Sequence, residues 1–378
     1  VSFALTEDQQ MLQKLARDFC AKEIIPAAEE HDHLAKFPEE IFHKAREVGL
    51  ANMNVPAEYG GVGASVFEEV LVSEELAYGC TGISTSLGTN GLGSLPILLA
   101  GTEQQKAYWL GERLMDKAQF CSYGVTEAAA GSNVVGIETR AEKKGAGWVI
   151  NGSKMFITNG VHGDLYFVGA KTDPTAKGSR GISIFIVEKG TPGFKVAKQL
   201  DKLGWRSSDT AALVFEDCEI PAENLLGEEN KGFYSIMSNF QNERLVAGAG
   251  AAGECARAIE ITLDWVKQRK AFGGVLWDKQ VVRHKLSTLA MKLEAGRALV
   301  YHTAYLDAQG IDCVKEVSMV KAYMGEFVNE CMYVCGQMHG GMAFMRESAI
   351  ERMYRDARVQ SIGGGASDVM LEEVAKRM

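Results

Sequence analysis

The stretch YGVTEAAAGSN, residues 123–133, decides how the rest of the chain is read. A β-type run from Phe120 to Val125 gives way to Thr126 and Glu127. Four small residues follow, Ala128, Ala129, Ala130 and Gly131, and then Ser132 and Asn133. Small side chains let a flat or phosphorylated ligand approach the backbone, and free N–H groups and hydroxyls offer donors to anionic oxygens. An Ala/Gly/Ser run also describes an ordinary loop, so its surroundings must carry the argument.

Upstream of this stretch, residues 1–118 read as helices. Thr6 with Gln9 forms a capping box, and Leu12, Leu15, Ala16 and Phe19 then share a face until Pro26. Ser65 with Glu68 repeats the signal ahead of Val70, Leu71 and Leu76, and Thr102 with Gln105 opens another helix. Between them GISTSLGTNGLGSLPILL, residues 82–99, is so rich in glycine that a loop or a locally broken helix is expected. Downstream, from about residue 119, short β-type runs at 148–150, 165–170, 182–187 and 212–215 alternate with turns. The turns are Asn151-Gly152, Asn159-Gly160 and Thr191-Pro192-Gly193, and the β region closes near Leu226. From Lys231 helical periodicity is expected to hold to the end, with Gly340-Gly341 as a helix stop. The reading is α+β with three domains, 1–118, 119–228 and 229–378. Helices, then strands, then helices, with no GxGxxG, argue against a Rossmann sheet.

The chain has 378 residues, enough for a large core and more than one domain. Its 40 basic and 49 acidic residues give a net charge of −9 without a basic block, which argues against a nucleic-acid partner. The apolar runs are short and interrupted, as in residues 83–100, so no membrane span is expected. Val1 is read as opening directly onto a helical segment, without a signal-like leader. The eight cysteines form no C-x-x-C pair. Cys331, Cys335 and His339 would share one helix face, where packing is expected and no metal. These features imply a reducing compartment, the cytoplasm of a bacterium or a mitochondrial matrix after removal of a leader.

GSKMFITNG at 152–160, QRKAFG at 268–273, QMHGG at 337–341 and RDARVQSIGGGASD at 355–368 follow in the order found in acyl-CoA dehydrogenase flavoproteins. From about Leu5 to the C-terminus the chain resembles that family. The resemblance implies an N-terminal helical domain, a middle β-barrel-like domain and a C-terminal four-helix bundle, assembled as a homotetramer. It implies FAD between the β domain and the C-terminal helices. Tyr123, Val125, Thr126, Gly131 and Ser132 would line the flavin, with Phe156, Ile157 and Thr158 on a second strand. Arg269, Phe272, Gln280, Gln337, Met338, His339, Gly340 and Gly341 match residues that a neighbouring subunit lends to the cofactor, and Ala366, Ser367 and Asp368 complete the set. Without the match, Phe156 and Phe272 read as core aromatics, Arg269 as a helix-surface charge, and Gln280 and Gln337 as ordinary polar positions. Ala128 and Asn133 stand where the family pattern has proline and aspartate.

Most relatives take the α-proton with a glutamate in a C-terminal YEGT motif; here Gly364 stands in its place. QNER at 241–244 matches the alternative base position of the long-chain and isovaleryl-CoA branches, so the resemblance assigns the base to Glu243 and a supporting role to Arg244. A helical glutamate is otherwise most often a solvated residue. Tyr234, Gln241, Asn242, Gly364 and Gly365 would contact the substrate, as would Ser132, with Ser179 and Arg180 on the CoA phosphates. Gly88, Gly91 and Gly93 would leave room at the end of the acyl cavity for medium, long or branched chains. The expected reaction converts an acyl-CoA to trans-2-enoyl-CoA, a step of fatty-acid β-oxidation, with the β-hydride leaving for the flavin and electrons passing to an electron-transfer flavoprotein. An enoyl-CoA reductase or acyl-CoA oxidase remains an alternative, as does a non-catalytic nucleic-acid-binding member of the fold.

Overall fold

The computed structural model describes residues 5–378, so the expected opening at Val1 lies outside the described residues. Helix α1 (Glu7–Phe19) starts at the predicted capping box, in which Thr6 and Gln9 satisfy each other's backbone N–H. The chain does not break at Pro26. A π-helical turn, Cys20–Ile24, leads straight into α2 (Ile25–Leu34), and Pro26, which has no N–H to donate, sits directly after that turn. The helix ends instead at Ala35, which takes a left-handed φ of 49°. After α3 (Glu39–Glu47), the Ser65/Glu68 box opens α4 (Val66–Gly79).

Residues 82–99 are not a loop. They lie within α5 (Thr81–Ala100), a continuous helix of 20 residues. Tertiary packing overrides the poor propensity because the glycines let neighbours come close. A Cβ at Gly93 would sit 2.7 Å from both Cys121 Cβ and Phe167 Cε2. Thr102 and Gln105 then cap α6 (Glu103–Lys106), which continues as a π-helical stretch, Ala107–Asp116.

The middle region is one sheet of eight strands: β1 (Cys121–Gly124), β2 (Arg140–Lys144), β3 (Gly147–Thr158), β4 (Leu165–Lys171), β5 (Ile182–Glu188), β6 (Phe194–Gln199), β7 (Thr210–Pro221) and β8 (Leu225–Leu226). Their order is β6-β7-β3-β2-β4-β5-β8, with β1 parallel beside β4. β2 and β6 escape the sequence reading because most of their side chains are charged or exposed. β4 and β5 are buried on both faces. Tyr166, Val168 and Ala170 enter the core shared with β3 and β7, while Leu165 and Phe167 enter a second core beneath the helices.

α7 (Gly232–Gln268) begins the helical C-terminal region. Helical structure is then interrupted where uninterrupted helix was expected: QRKAFG turns through a hairpin of β9 (Lys270–Ala271) and β10 (Gly274–Val275). Its two-residue loop, Phe272-Gly273, has φ of 53° and 78°, the positive pair that suits strand twist. The chain continues through α8 (Gln280–Ala308), α9 (Val314–His339), α10 (Ala349–Ala357) and α11 (Ser367–Ala375). Gly340 ends α9 at a φ of 62°, the expected stop. Leu245, Leu289, Val320 and Phe327 pack α7, α8 and α9 into one core that also takes Val70 of α4. Cys331 and Cys335 are buried in it. Among the described residues no group of three side chains could hold a metal, and no helix is long and apolar enough to cross a membrane.

Candidate active site

α7 carries Glu243 toward a turn made by Gly363, Gly364 and Gly365, between α10 and α11. A Cβ built on Gly364 would stand 3.3 Å from Glu243 Oε1 and 3.5 Å from Lys321 Cε. The two sequence positions for the base therefore converge on one point. Arg244 Nε donates to the Gly364 carbonyl at 3.1 Å, and Lys321 Nζ donates to the Gln360 and Gly365 carbonyls. Gly364 and Gly365 have φ of 65° and 115°, so a side chain would strain either.

Glu243 is partly buried. Burial raises its pKa above the ordinary carboxylate range, and the charges of Arg244 and Lys321 oppose that rise. Burial also lowers the Lys321 ammonium to about 8, although Glu243 counters it. Lys321 was absent from the sequence reading. The signal was available: a lysine at the same spacing as Val317, Val320 and Met324 on the buried face of α9 needs a polar partner.

The second part of the site is the loop after β1. Tyr123 and Val125 are buried, and Thr126 is partly covered. Glu127 and Ala130 exchange backbone bonds of 3.1 Å, which folds residues 127–130 into a tight turn. The Glu127 carboxylate accepts from the N–H of Glu138 at 2.6 Å and of Thr139 at 3.0 Å. It also accepts from Lys154 Nζ at 2.7 Å, and Lys154 reaches the Val125 carbonyl at 3.2 Å. The turn is thus held from below without the proline that Ala128 replaces. Gly131, Ser132 and Asn133 are exposed, and a Cβ on Gly131 would meet nothing within 4 Å.

On β3 a register irregularity between Lys154 and Ile157 turns Phe156 outward, 66% exposed at a φ of 62°. Ile157 points the other way, into the sheet core, so its side chain faces no ligand. Thr158 pairs with Thr210. An exposed aromatic in left-handed backbone recurs at Phe272, 91% exposed, beside the exposed Arg269. Large aromatic faces left in solvent at both places suit a ligand or partner. Small open backbone, flat aromatic faces and an arginine fork fit a dinucleotide with a planar ring, as FAD requires.

Within one chain Arg269 stands far from the base, at the other end of α7. From Glu243 to Arg269 α7 extends roughly 39 Å at ~1.5 Å per residue. Gln280 lines a groove of about 350 Å³ with His284, Lys285 and Glu330. Gln337, Gly340 and Gly341 are exposed at the end of α9. Met338 and His339 serve the bundle: the Met338 carbonyl accepts from Trp265 Nε1 at 3.1 Å, and His339 lies 3.1 Å from Thr262 Oγ1 and stacks on Trp265. Ala366, Ser367 and Asp368 lead into α11 directly after the Gly364 turn, and Ser367 Oγ donates to Glu326.

Of the remaining positions, Tyr234 and Gln241 share a face of α7, Tyr234 being 66% exposed. Asn242 Nδ2 donates to Glu69 Oε2 at 2.9 Å. Ser179 and Arg180 lie on the loop between β4 and β5, whose base is joined to Asn230 ahead of α7 by Thr172 Oγ1 at 2.6 Å. A Cβ on Gly88 would meet nothing within 4 Å and one on Gly91 would touch Glu69 and Asn54 at 3.9 and 4.0 Å, but Gly93 packs against β1 and β4 and lines no cavity.

Three family models match in order: the acyl-CoA dehydrogenase N-terminal domain over residues 6–117, the middle domain over 122–218 and the C-terminal domain over 230–378. The chain is 38% identical to an acyl-CoA dehydrogenase of Bacillus subtilis, over 98% of each chain. It is 37% identical to an acryloyl-CoA reductase (NADH) of Anaerotignum propionicum, over 100% of this chain and 97% of that one. The butyryl-CoA dehydrogenase structure from Megasphaera elsdenii superposes with a TM-score of 0.96 at 35% identity, covering 100% and 99% of the two chains. A structure described for the electron transferring flavoprotein of Acidaminococcus fermentans does so with a TM-score of 0.96 at 36% identity and the same coverage. The chain belongs to the acyl-CoA dehydrogenase family, whose members are FAD flavoproteins.

Proposed function

We propose that this enzyme dehydrogenates a medium, long or branched acyl-CoA to the trans-2-enoyl-CoA, with Glu243 as the base. The observation that carries the reading is the convergence of Glu243 and Gly364 on one point, the carboxylate supplied from α7 because residue 364 has none. Glu243 takes the α-proton. The backbone N–H of Gly364 polarises the thioester carbonyl, so negative charge developing on its oxygen meets a fixed donor. Arg244 and Lys321 hold the glycine turn by its carbonyls and keep Glu243 available as the anion. FAD, when bound, supplies the acceptor for the β-hydrogen with its electron pair.

In the same reading Tyr123, Val125, Thr126, Gly131, Ser132, Phe156 and Thr158 cradle the flavin from one chain. Arg269, Phe272, Gln280, Gln337, Gly340 and Gly341 serve it from a neighbour in a homotetramer. The length of α7 between Glu243 and Arg269 supports this division. The placement of the strands supports domain limits of 1–118, 119–228 and 229–378. Eight free, buried cysteines support a reducing compartment. The likeness to a chain described with an electron transferring flavoprotein supports that protein as electron acceptor.

A second reading runs the reaction in reverse. It is favoured by the 37% identity to an acryloyl-CoA reductase, and a carboxyl of raised pKa can equally return a proton to the α-carbon. Anaerobic mixing of the holoenzyme with acyl-CoAs, followed by assays with electron-transfer flavoprotein, oxygen and NADH, separates the readings. Flavin bleaching by acyl-CoA and turnover with electron-transfer flavoprotein are expected. Turnover of enoyl-CoA with NADH alone would replace the first reading with the second.

A further inference from the structure

α4 places a second carboxylate, Glu69, beside the residue that precedes the base. Its Oε2 accepts from Asn242 Nδ2 at 2.9 Å. Its Oε1 is 3.9 Å from the Cβ position of Gly91, and Asn54 Nδ2 is 4.0 Å from that same point. Asn54 Nδ2 and Asn242 Oδ1 are both buried without a hydrogen-bond partner. Ser94 Oγ fixes the Asn54 side chain by donating to its Oδ1 at 2.8 Å. Asn239 Nδ2 ties α7 to the Leu92 carbonyl of α5 at 2.8 Å, which fixes the two helices against each other next to Gly91. Burial raises the Glu69 carboxyl to about 7, against the bond from Asn242.

An alkyl end beside Gly91 would leave a carboxylate oxygen, an amide oxygen and an amide N–H without partners, an arrangement buried polar groups avoid. A hydroxyl answers the two that meet beside Gly91, donating to the Glu69 oxygen and accepting from the Asn54 N–H, while Asn242 holds the Glu69 carboxylate in place. An ammonium offers no acceptor to Asn54, and a carboxylate offers no donor and meets the charge of Glu69. We propose that Glu69, Asn242 and Asn54 are specificity-determining residues that receive a hydroxyl group near the far end of the acyl chain. This rests on the acyl-CoA reading of the Glu243 site.

The test compares kcat/KM of the FAD-loaded enzyme for straight acyl-CoAs and their terminally or subterminally hydroxylated counterparts, matched in length. The hydroxylated member is expected to be preferred by about tenfold or more at one chain length, because a site built for a hydroxyl penalises the analogue that lacks it. Glu69→Leu should erase or invert the preference, and Glu69→Gln, nearly isosteric, should keep part of it. Binding of the same pairs to Glu243→Gln holoenzyme by calorimetry gives an independent reading. If no acyl-CoA reduces the flavin, the base assignment fails, while the binding preference still judges this proposal. Equal or better use of the unsubstituted chain by the parent enzyme would overturn it. So would a hydroxyl preference that Glu69→Leu leaves unchanged.

Discussion

Glu243 and Gly364, far apart in sequence, meet in space: a Cβ on Gly364 would lie 3.3 Å from Glu243 Oε1 and 3.6 Å from its Cδ. A carboxylate reaching that point from α7 leaves little room for a second. The emptied position and the filled one are therefore two halves of a single site.

Glu243→Gln should preserve the fold, FAD content and ligand binding while slowing flavin reduction by about 10²–10⁴, the usual share of general-base catalysis. Stopped-flow reduction by a good acyl-CoA measures it. Reduction at the parent rate would place the base elsewhere.

Moving the carboxylate, with Glu243→Ala and Gly364→Glu together, should restore measurable reduction and alter chain-length preference. The left-handed φ of 65° at Gly364 sets a cost of about 1–2 kcal/mol against any side chain, so rescue should be partial. Gly364→Glu alone should crowd two carboxylates and raise the pKa of one. A double variant with intact FAD but no activity above Glu243→Ala would contradict the shared geometry.

The pH profile follows from the charges around the base. Only the ionised carboxylate takes a proton, so kcat/KM should rise with pH through the raised pKa of Glu243. Lys321→Met removes a cation that opposes the rise, so the acid limb should move to higher pH. An unshifted limb, in a variant that retains its flavin, would show that Lys321 serves the glycine turn alone.

Arg269→Ala should weaken FAD retention and loosen the oligomer together, because the residue lies roughly 39 Å along α7, at ~1.5 Å per residue, from the Glu243 of its own chain. Light scattering and flavin absorbance on one sample read both effects. A stable monomer with full FAD would refute the shared site.

Lys154→Met should cost about 3–5 kcal/mol, since it leaves the buried Glu127 without its ammonium. Burial opposes the Glu127 charge, but Lys154 and the N–H groups beneath the turn outweigh it and hold the carboxyl below its ordinary range. Replacing both residues by apolar ones should cost less than the single change. Denaturation midpoints at matched FAD loading test this.

The sequence by itself determined the parts that depend on neighbours along the chain. Three capping boxes, the turns at Asn159-Gly160 and Thr191-Pro192-Gly193 and the glycine stop of α9 are local hydrogen-bond or φ requirements, and each stands where it was read. The turn expected at Asn151-Gly152 does not form, because β3 runs through it with only a register irregularity against β7. The ordered motifs determined the family for the same reason, each being a contiguous run. Only the tertiary structure decided α5, because a glycine-rich run is held helical by the strands and helices pressed against it. It decided β2 and β6 as well, whose mostly charged or exposed side chains carry no strand pattern while their backbones pair with β3 and β7. Glu69 gains its meaning only in space, where Asn242 from another helix meets its carboxylate. The meeting of residues 243 and 364 belongs to the same class: distance along the chain says nothing of it until α7 and the glycine turn are packed together.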